Sequence, residues 1–214
     1  MQKAKPLEHF LHLASEKQQN IINAALYAFG KNGYKKASVA DIAAGAGISK
    51  AMIFHYFGCK KELYLYLIHF CADAIASGVI KELDTSETDF FKRIRAISEL
   101  KLKAISNYPD MMIFMESMFF EADPEVEPEI KKIMSVSKLS FNIQPYFEGI
   151  DFSRFKEGVN PELVTRLLLY YTTGRMNEMP HGKSLDIVLL MREFDECIEL
   201  FRKNFYRRAD EGSI

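Results

Sequence analysis

Along most of the chain, apolar side chains return every three or four positions, in stretches of 15–25 residues separated by short breaks rich in Gly, Pro or Ser. That period marks amphipathic helices, and no segment sustains the two-residue alternation of a half-buried strand. Residues 7–13 read as a short leading helix. Ser15 and Gln18 have the spacing of a capping box. They are expected to open a helix whose face carries Ile21, Ile22, Ala25 and Phe29, ended by Gly33. Ser38 is placed to cap a short second helix with Val39, Ile42 and Ala43, broken by Gly45 and Gly47. Ser49 opens a third, Lys50–Phe57, with Ile53 and Phe57 four apart on one face and Gly58 behind them. A long fourth helix spans 60–83. Others follow at about 88–107, 109–122, 125–148, 161–179 and 184–207, divided by Pro109, Pro124, the 149–158 loop and 180–182. The pattern predicts an all-α chain of about nine helices and a leading turn.

Composition agrees. With 48% apolar and 27% charged residues, 11 Gly and 7 Pro, the chain suits a folded, soluble helical protein. Three dispersed cysteines, Cys59, Cys71 and Cys197, form no disulfide framework and no CxxC pair, which points to the reducing cytoplasm. The first residues lack the long apolar run of a signal peptide. The most membrane-like stretch, 63–80, contains His69 and Asp73 and reads as a buried helix of a soluble protein, so no membrane partner is expected. Charge is uneven. Residues 1–62 hold nine Lys and four acids, a net of +5, whereas residues 63–214 hold 19 basic and 25 acidic side chains, a net of −6. A basic head on an acidic body fits a head that meets a polyanion.

The segment 38–63 carries the chemistry. Two short helices joined by a tight turn at Gly47, with small Ala43, Ala44 and Ala46 between them and Ile42, Ile48 and Ile53 beneath, form a helix-turn-helix. The second helix of such a pair enters the DNA major groove. Ser38 and Ser49 stand at helix N-termini, where a hydroxyl and free N–H groups suit phosphate, although capping alone also accounts for Ser38. Lys50 and His55 lie opposite Ile53 and Phe57 and are placed to reach base edges; a solvated charge and a surface His are the plainer readings. The Tyr56 hydroxyl and the ammonium groups of Lys35, Lys36 and Lys60 suit phosphates, which position without reading sequence.

This segment closely resembles the DNA-binding domain of the tetracycline-repressor (TetR) family over about residues 17–65. The resemblance rests on Ser38, Asp41-Ile42-Ala43, Ala46-Gly47-Ile48-Ser49, Phe54-His55-Tyr56-Phe57 and Cys59-Lys60-Lys61-Glu62-Leu63. Phe54 stands where the family usually has Tyr, Ala51 where it often has Gly, and Cys59 where Ser or Asn is usual. Phe54 and Ala51 belong to the expected DNA contacts, Phe54 as packing or thymine-methyl contact and Ala51 at a position where its methyl slightly restricts close backbone approach.

The resemblance implies a helix-turn-helix domain at 1–62 and a larger helical ligand-binding and dimerisation domain at 63–214. It implies a ligand-responsive repressor that binds a palindromic duplex operator as a homodimer and is released by a small-molecule inducer. Dimerisation is expected through the helices near 161–179 and 184–207, whose stripes include Leu163, Leu167, Leu168 and Tyr171, then Phe194, Ile198 and Phe201. The run 110–121 is Met- and Phe-rich on nearly all faces, which suits either an adaptable apolar site or a buried central helix. Met112, Met115, Glu116 and Phe119 are the expected ligand contacts. The chain has no HExxH, GxSxG or Gly-rich phosphate loop, and its five His do not cluster with carboxylates at ligand spacing, except that His9 and His12 lie three apart near the N-terminus, so no catalytic residue, cofactor or metal is expected. Salt-dependent binding to duplex DNA would separate this reading from an enzyme or from a helix-turn-helix used for protein contact only.

Overall fold

The computed structural model describes residues 6–136, 146–178 and 186–207. Among these, ten α-helices carry the fold: α1 (Pro6–Leu11), α2 (Ser15–Lys36), α3 (Val39–Gly45), α4 (Lys50–Phe57), α5 (Lys60–Glu82), α6 (Phe90–Ser106), α7 (Met111–Phe119), α8 (Glu127–Val136), α9 (Pro161–Glu178) and α10 (Ile187–Phe205). The described residues form no strand; a lone antiparallel bridge joins Phe155 to Tyr206. The protein is all-α, with the helix-turn-helix near its N-terminus.

Local rules account for several boundaries. The Ser38 hydroxyl accepts from the N–H groups of Ala40 (3.2 Å) and Asp41 (3.4 Å), and that of Ser49 from Met52 (3.3 Å), so both serines cap as their spacing predicts. Ser15 does not. The residue before α2 is Ala14, with no side-chain cap, and the Gln18 amide turns back to donate to the carbonyls of Leu11 and Leu13. It thereby closes the C-terminal end of α1 rather than opening α2. Gly33 breaks α2 where expected: at φ 69° and ψ 173°, a conformation glycine adopts freely, its backbone is non-helical, and a short further turn runs on to Lys36. The expected helix at 125–148 is also shorter. α8 is described to Val136, residues 137–145 lie outside the described residues, and 147–148 are not helical. The buried Arg93 guanidinium takes the carbonyls of Tyr146 and Glu148, turning them away from helical partners. The expected break at 180–182 also lies outside the described residues.

The helices group into two compact units, the first drawn from 1–78 and 102–140 and the second from 79–101 and 141–214. In the first, Ile21, Leu26 and Phe29 of α2, Ile42 of α3, Ile53 of α4, Leu63, Tyr64, Leu67, Ile68 and Cys71 of α5 and Phe114 of α7 form one core. α5 is long and apolar enough to cross a membrane by length and composition alone, and many of its apolar side chains are used in this core. α2 and α7 approach very closely: a Cβ on Gly30 would lie 2.9 Å from the Phe114 backbone nitrogen. The Ser117 hydroxyl donates to the Phe29 carbonyl at 3.2 Å, and the Glu121 carboxylate accepts the Tyr34 N–H at 2.7 Å, just past the Gly33 kink.

The second unit has a separate core of Phe90, Phe91, Phe155, Val164, Leu168, Phe194, Ile198 and Tyr206. Asp89, itself buried, accepts from Arg154 and from the Tyr206 hydroxyl. The stripe expected to be an assembly face is thus divided. Phe194 and Ile198 of α10 and Leu168 of α9 face the unit's own core, while Leu163, Leu167 and Tyr170 of α9 and Val188 and Leu200 of α10 are exposed.

Candidate nucleic-acid interface

The helix-turn-helix is built from the inside. Ile42 and Ile53 are fully buried, and the small Ala43 and Ala46 are buried in the same core. The turn is closed by Gly47 and Ile48 N–H groups donating to the carbonyls of Ala44 (3.1 Å) and Ala43 (3.0 Å), with Gly47 at φ 69°. α3 lies so close on α2 that a Cβ on Gly45 would come within 3.2 Å of the Ala24 Cβ. With Ile53, Tyr56 and Phe57 turned inward, α4 exposes Lys50, Ala51, Met52, Phe54 and His55.

This exposed face has internal order. The Lys50 ammonium sits 5.8 Å over the Phe54 ring, a cation–π contact that holds a positive charge on the outer surface of the helix. The His55 ring stacks on His9 of α1, with centroids 4.8 Å apart. Lys35 and Lys36 are exposed in the last turn of α2, just before the Ser38 cap. Two expected contacts are placed differently. Tyr56 is only 6% exposed, and its ring meets Phe10 of α1 edge-on. Lys60 is half-buried; its ammonium donates to the Lys35 carbonyl at 3.1 Å and lies 4.7 Å over the Tyr34 ring. Burial lowers its pKa, against the pull of Glu125, Asp123 and Glu121. It therefore braces the end of α2, where a cation suits the exposed carbonyls.

Residues 21–67 match the sequence model of the tetR family of bacterial regulatory proteins. The helix-turn-helix segment is thus of the TetR type. Solved members of that family share the chain's fold. A TetR-family transcriptional regulator from Chloroflexus aurantiacus aligns with a TM-score of 0.66 at 21% identity, over 94% of this chain and 98% of that one. SmeT, the repressor of the Stenotrophomonas maltophilia multidrug efflux pump SmeDEF, aligns with a TM-score of 0.66 at 16% identity, over 91% and 94%. In sequence, the transcriptional activator FasR of Mycolicibacterium smegmatis is 32% identical over 122 residues, 57% of this chain and 53% of the relative. The alignment thus spans about half of that relative's length.

Outside the matched segment, α7 buries Met111, Phe114 and Met118, while Met112, Met115, Glu116 and Phe119 are half-buried on its other sides. The structure therefore splits the Met/Phe-rich run into a packing face and a second, partly accessible one. Sequence periodicity did not single out a cavity of about 400 Å³ in the second unit, walled by Phe91 and Ile198 and ringed by Lys92, Arg95, Asp195, Glu199 and Arg202. It joins α6 to α10, a hundred residues apart, through the Arg95–Asp195 ion pair at 2.8 Å, and nothing local in the sequence signals such a pairing.

Proposed function

We propose that this protein is a TetR-family, cytoplasmic, ligand-responsive transcriptional repressor that binds a palindromic duplex-DNA operator as a homodimer and is released by a small apolar or amphipathic inducer. The observation that carries the reading is the exposed face of α4, where Lys50, Ala51, Phe54 and His55 stand together behind the Ser49 cap. A helix presented in this way fits the major groove. Lys50 donates to guanine O6 or N7, His55 bonds a base edge, Phe54 meets a thymine methyl, and Ala51 faces the groove with a methyl that slightly limits backbone approach. Ser38, Ser49, Lys35 and Lys36 bind phosphates and set the register. Lys60 adds its charge from behind while holding the end of α2, and Tyr56 fixes α4 against α1.

In this reading residues 1–62 form the DNA-binding part, and 63–214 serve ligand and assembly. The inducer contacts lie on α7 at Met112, Met115, Glu116 and Phe119, and the dimer forms through the exposed apolar residues of α9 and α10. Repression is the proposed sign. Among the relatives SmeT is named a repressor and FasR an activator, so the sign is part of the test.

The experiment is selection of duplexes from a random pool, followed by affinity measurement and a reporter assay with the selected site. Lys50→Ala and His55→Ala are each expected to weaken specific binding by roughly 1–3 kcal/mol with little change in unfolding midpoint. If both variants hold the selected site as tightly as the wild type, α4 is not the reader. A reporter that rises with added protein reverses the sign.

A further inference from the structure

We infer that His9, on α1 and outside the helix-turn-helix, is the positioning residue for His55 and thereby sets the specificity of the DNA contact. The inference rests on α4 being the recognition helix. The two imidazoles stack with centroids 4.8 Å apart and planes inclined by 28°, and both residues are exposed. A stack of this kind occupies a ring face, whereas base edges are read through the ring nitrogens, which lie in the ring plane. His9 therefore restrains the His55 ring without consuming its hydrogen-bonding edge.

α1 is anchored well enough to do this. Phe10, the next residue, is fully buried, with its ring 4.9 Å from Phe57 and 5.3 Å from Tyr66. The Gln18 amide holds the Leu11 and Leu13 carbonyls at 3.1 and 2.9 Å. The His12 ring bonds the Glu8 carbonyl at 2.6 Å, closing the last turn of α1 on itself. One side chain thus fixes the helix to the aromatic end of α4, and its neighbour in sequence reaches the outer surface beside His55. The Tyr56 ring, the next aromatic neighbour of His55, stands edge-on at 5.5 Å and is fixed by the α4 backbone. His9 is the contact that a different element supplies, so specificity at the His55 position depends on α1 being docked.

The test uses the full chain and a duplex selected by the wild type, with every base pair varied in turn. The variants are His9→Ala, His55→Ala, the double variant and His9→Phe, which keeps a stacking ring and removes its hydrogen bonds. His55→Ala is expected to abolish discrimination at one base-pair position per half-site. His9→Ala is expected to reduce discrimination at that same position by roughly two- to tenfold. The double variant should be no worse than His55→Ala, and His9→Phe should restore the wild-type preference, all at unchanged unfolding midpoints. The inference is overturned if His9→Ala keeps the full preference, if the losses of the two single variants multiply, or if His9→Phe behaves as His9→Ala. In all three cases the recognition-helix reading survives. A wild type that selects no duplex, or a His55→Ala variant that keeps every preference, overturns that reading as well.

Discussion

Tyr64 lies in the core of the first unit with no exposed surface, and its hydroxyl has no hydrogen-bond partner among the described residues. Its ring is well placed, 4.9 Å from Phe29, 5.1 Å from Tyr34 and 5.4 Å from Phe114. Burial, with smaller contributions from Glu121 and Tyr34, pushes the phenol's pKa well above its ordinary range, so the group stays neutral. An unpaired buried hydroxyl costs about 1–3 kcal/mol. Tyr64→Phe keeps the ring and removes the cost, so it is expected to be neutral or to stabilise by about 1 kcal/mol in urea unfolding. A loss of that size would reveal a bonding partner. Gly30 shows the opposite case. Ala favours a helix interior over Gly by about 1 kcal/mol, but here the new Cβ would meet the Phe114 backbone nitrogen at 2.9 Å and Ile113 at 3.0 Å. Backbone cannot rotate aside as a side-chain tip can, so the helices must part. Gly30→Ala is expected to destabilise by about 1–3 kcal/mol, and a more stable variant would show that α2 and α7 slide freely.

At the scale of single helices, α5 buries Cys71 while Cys59 stands exposed just ahead of its first turn. Burial pushes the Cys71 thiol up to about 12, and only the thiolate reacts readily. A disulfide reagent at neutral pH should therefore label Cys59 quickly, the half-buried Cys197 more slowly, and Cys71 only on unfolding. The folded chain keeps the Cys71 proton where the unfolded chain, titrating near 9, releases it. Stability from this group is therefore intact below about pH 9 and falls as pH rises toward about 12. Cys71→Ala should flatten that alkaline decline, and an unchanged slope would assign it to other groups such as Tyr64. The same scale shows what the sequence makes legible. The Ser38 and Ser49 caps and the Gly47 turn are local signals, and the structure repeats them. The break at Gly33 is local too, but the helical turn that follows it is not: the Glu121 carboxylate accepts the Tyr34 N–H across 87 positions of sequence. The Ser15 capping box failed because Gln18 found carbonyls of α1 instead. At 146–148, where the expected helix would close, a buried Arg93, distant in sequence, binds the carbonyls of 146 and 148 instead. Periodicity identifies an apolar face but not what covers it, and for that reason Phe194 looked available for assembly when its own unit already encloses it.

For the molecule as a whole, the proposed operator reading needs two recognition helices, because a palindrome is matched by a two-fold protein. The second unit has a surface suited to that pairing. Along α9, Val164 and Leu168 face the core, while Leu163, Leu167 and Tyr170, at the same helical spacing, are exposed, and α10 adds Val188 and Leu200. Apolar side chains grouped in this way on the outside of a folded unit favour association. The Arg175–Glu193 ion pair at 2.7 Å ties α9 to α10, so the two helices offer their exposed residues from a braced pair. Leu167→Glu is therefore the informative substitution. It places a charge on the exposed face and leaves the core untouched, so the unfolding midpoint should stay within a few degrees of the wild type. Phe194→Glu would bury a carboxylate in the core and unfold the unit, which tests nothing about assembly. With Leu167→Glu, light scattering at micromolar concentration should report a monomer where the wild type is a dimer. Binding to a palindromic site should weaken at least a hundredfold, because a dimer holding its site with about −12 kcal/mol leaves each half-site only about half of that, in the tens of micromolar. A wild type that is monomeric at micromolar concentration, or a monomeric Leu167→Glu that keeps wild-type affinity, would remove the dimer from the mechanism and leave α4 to act alone.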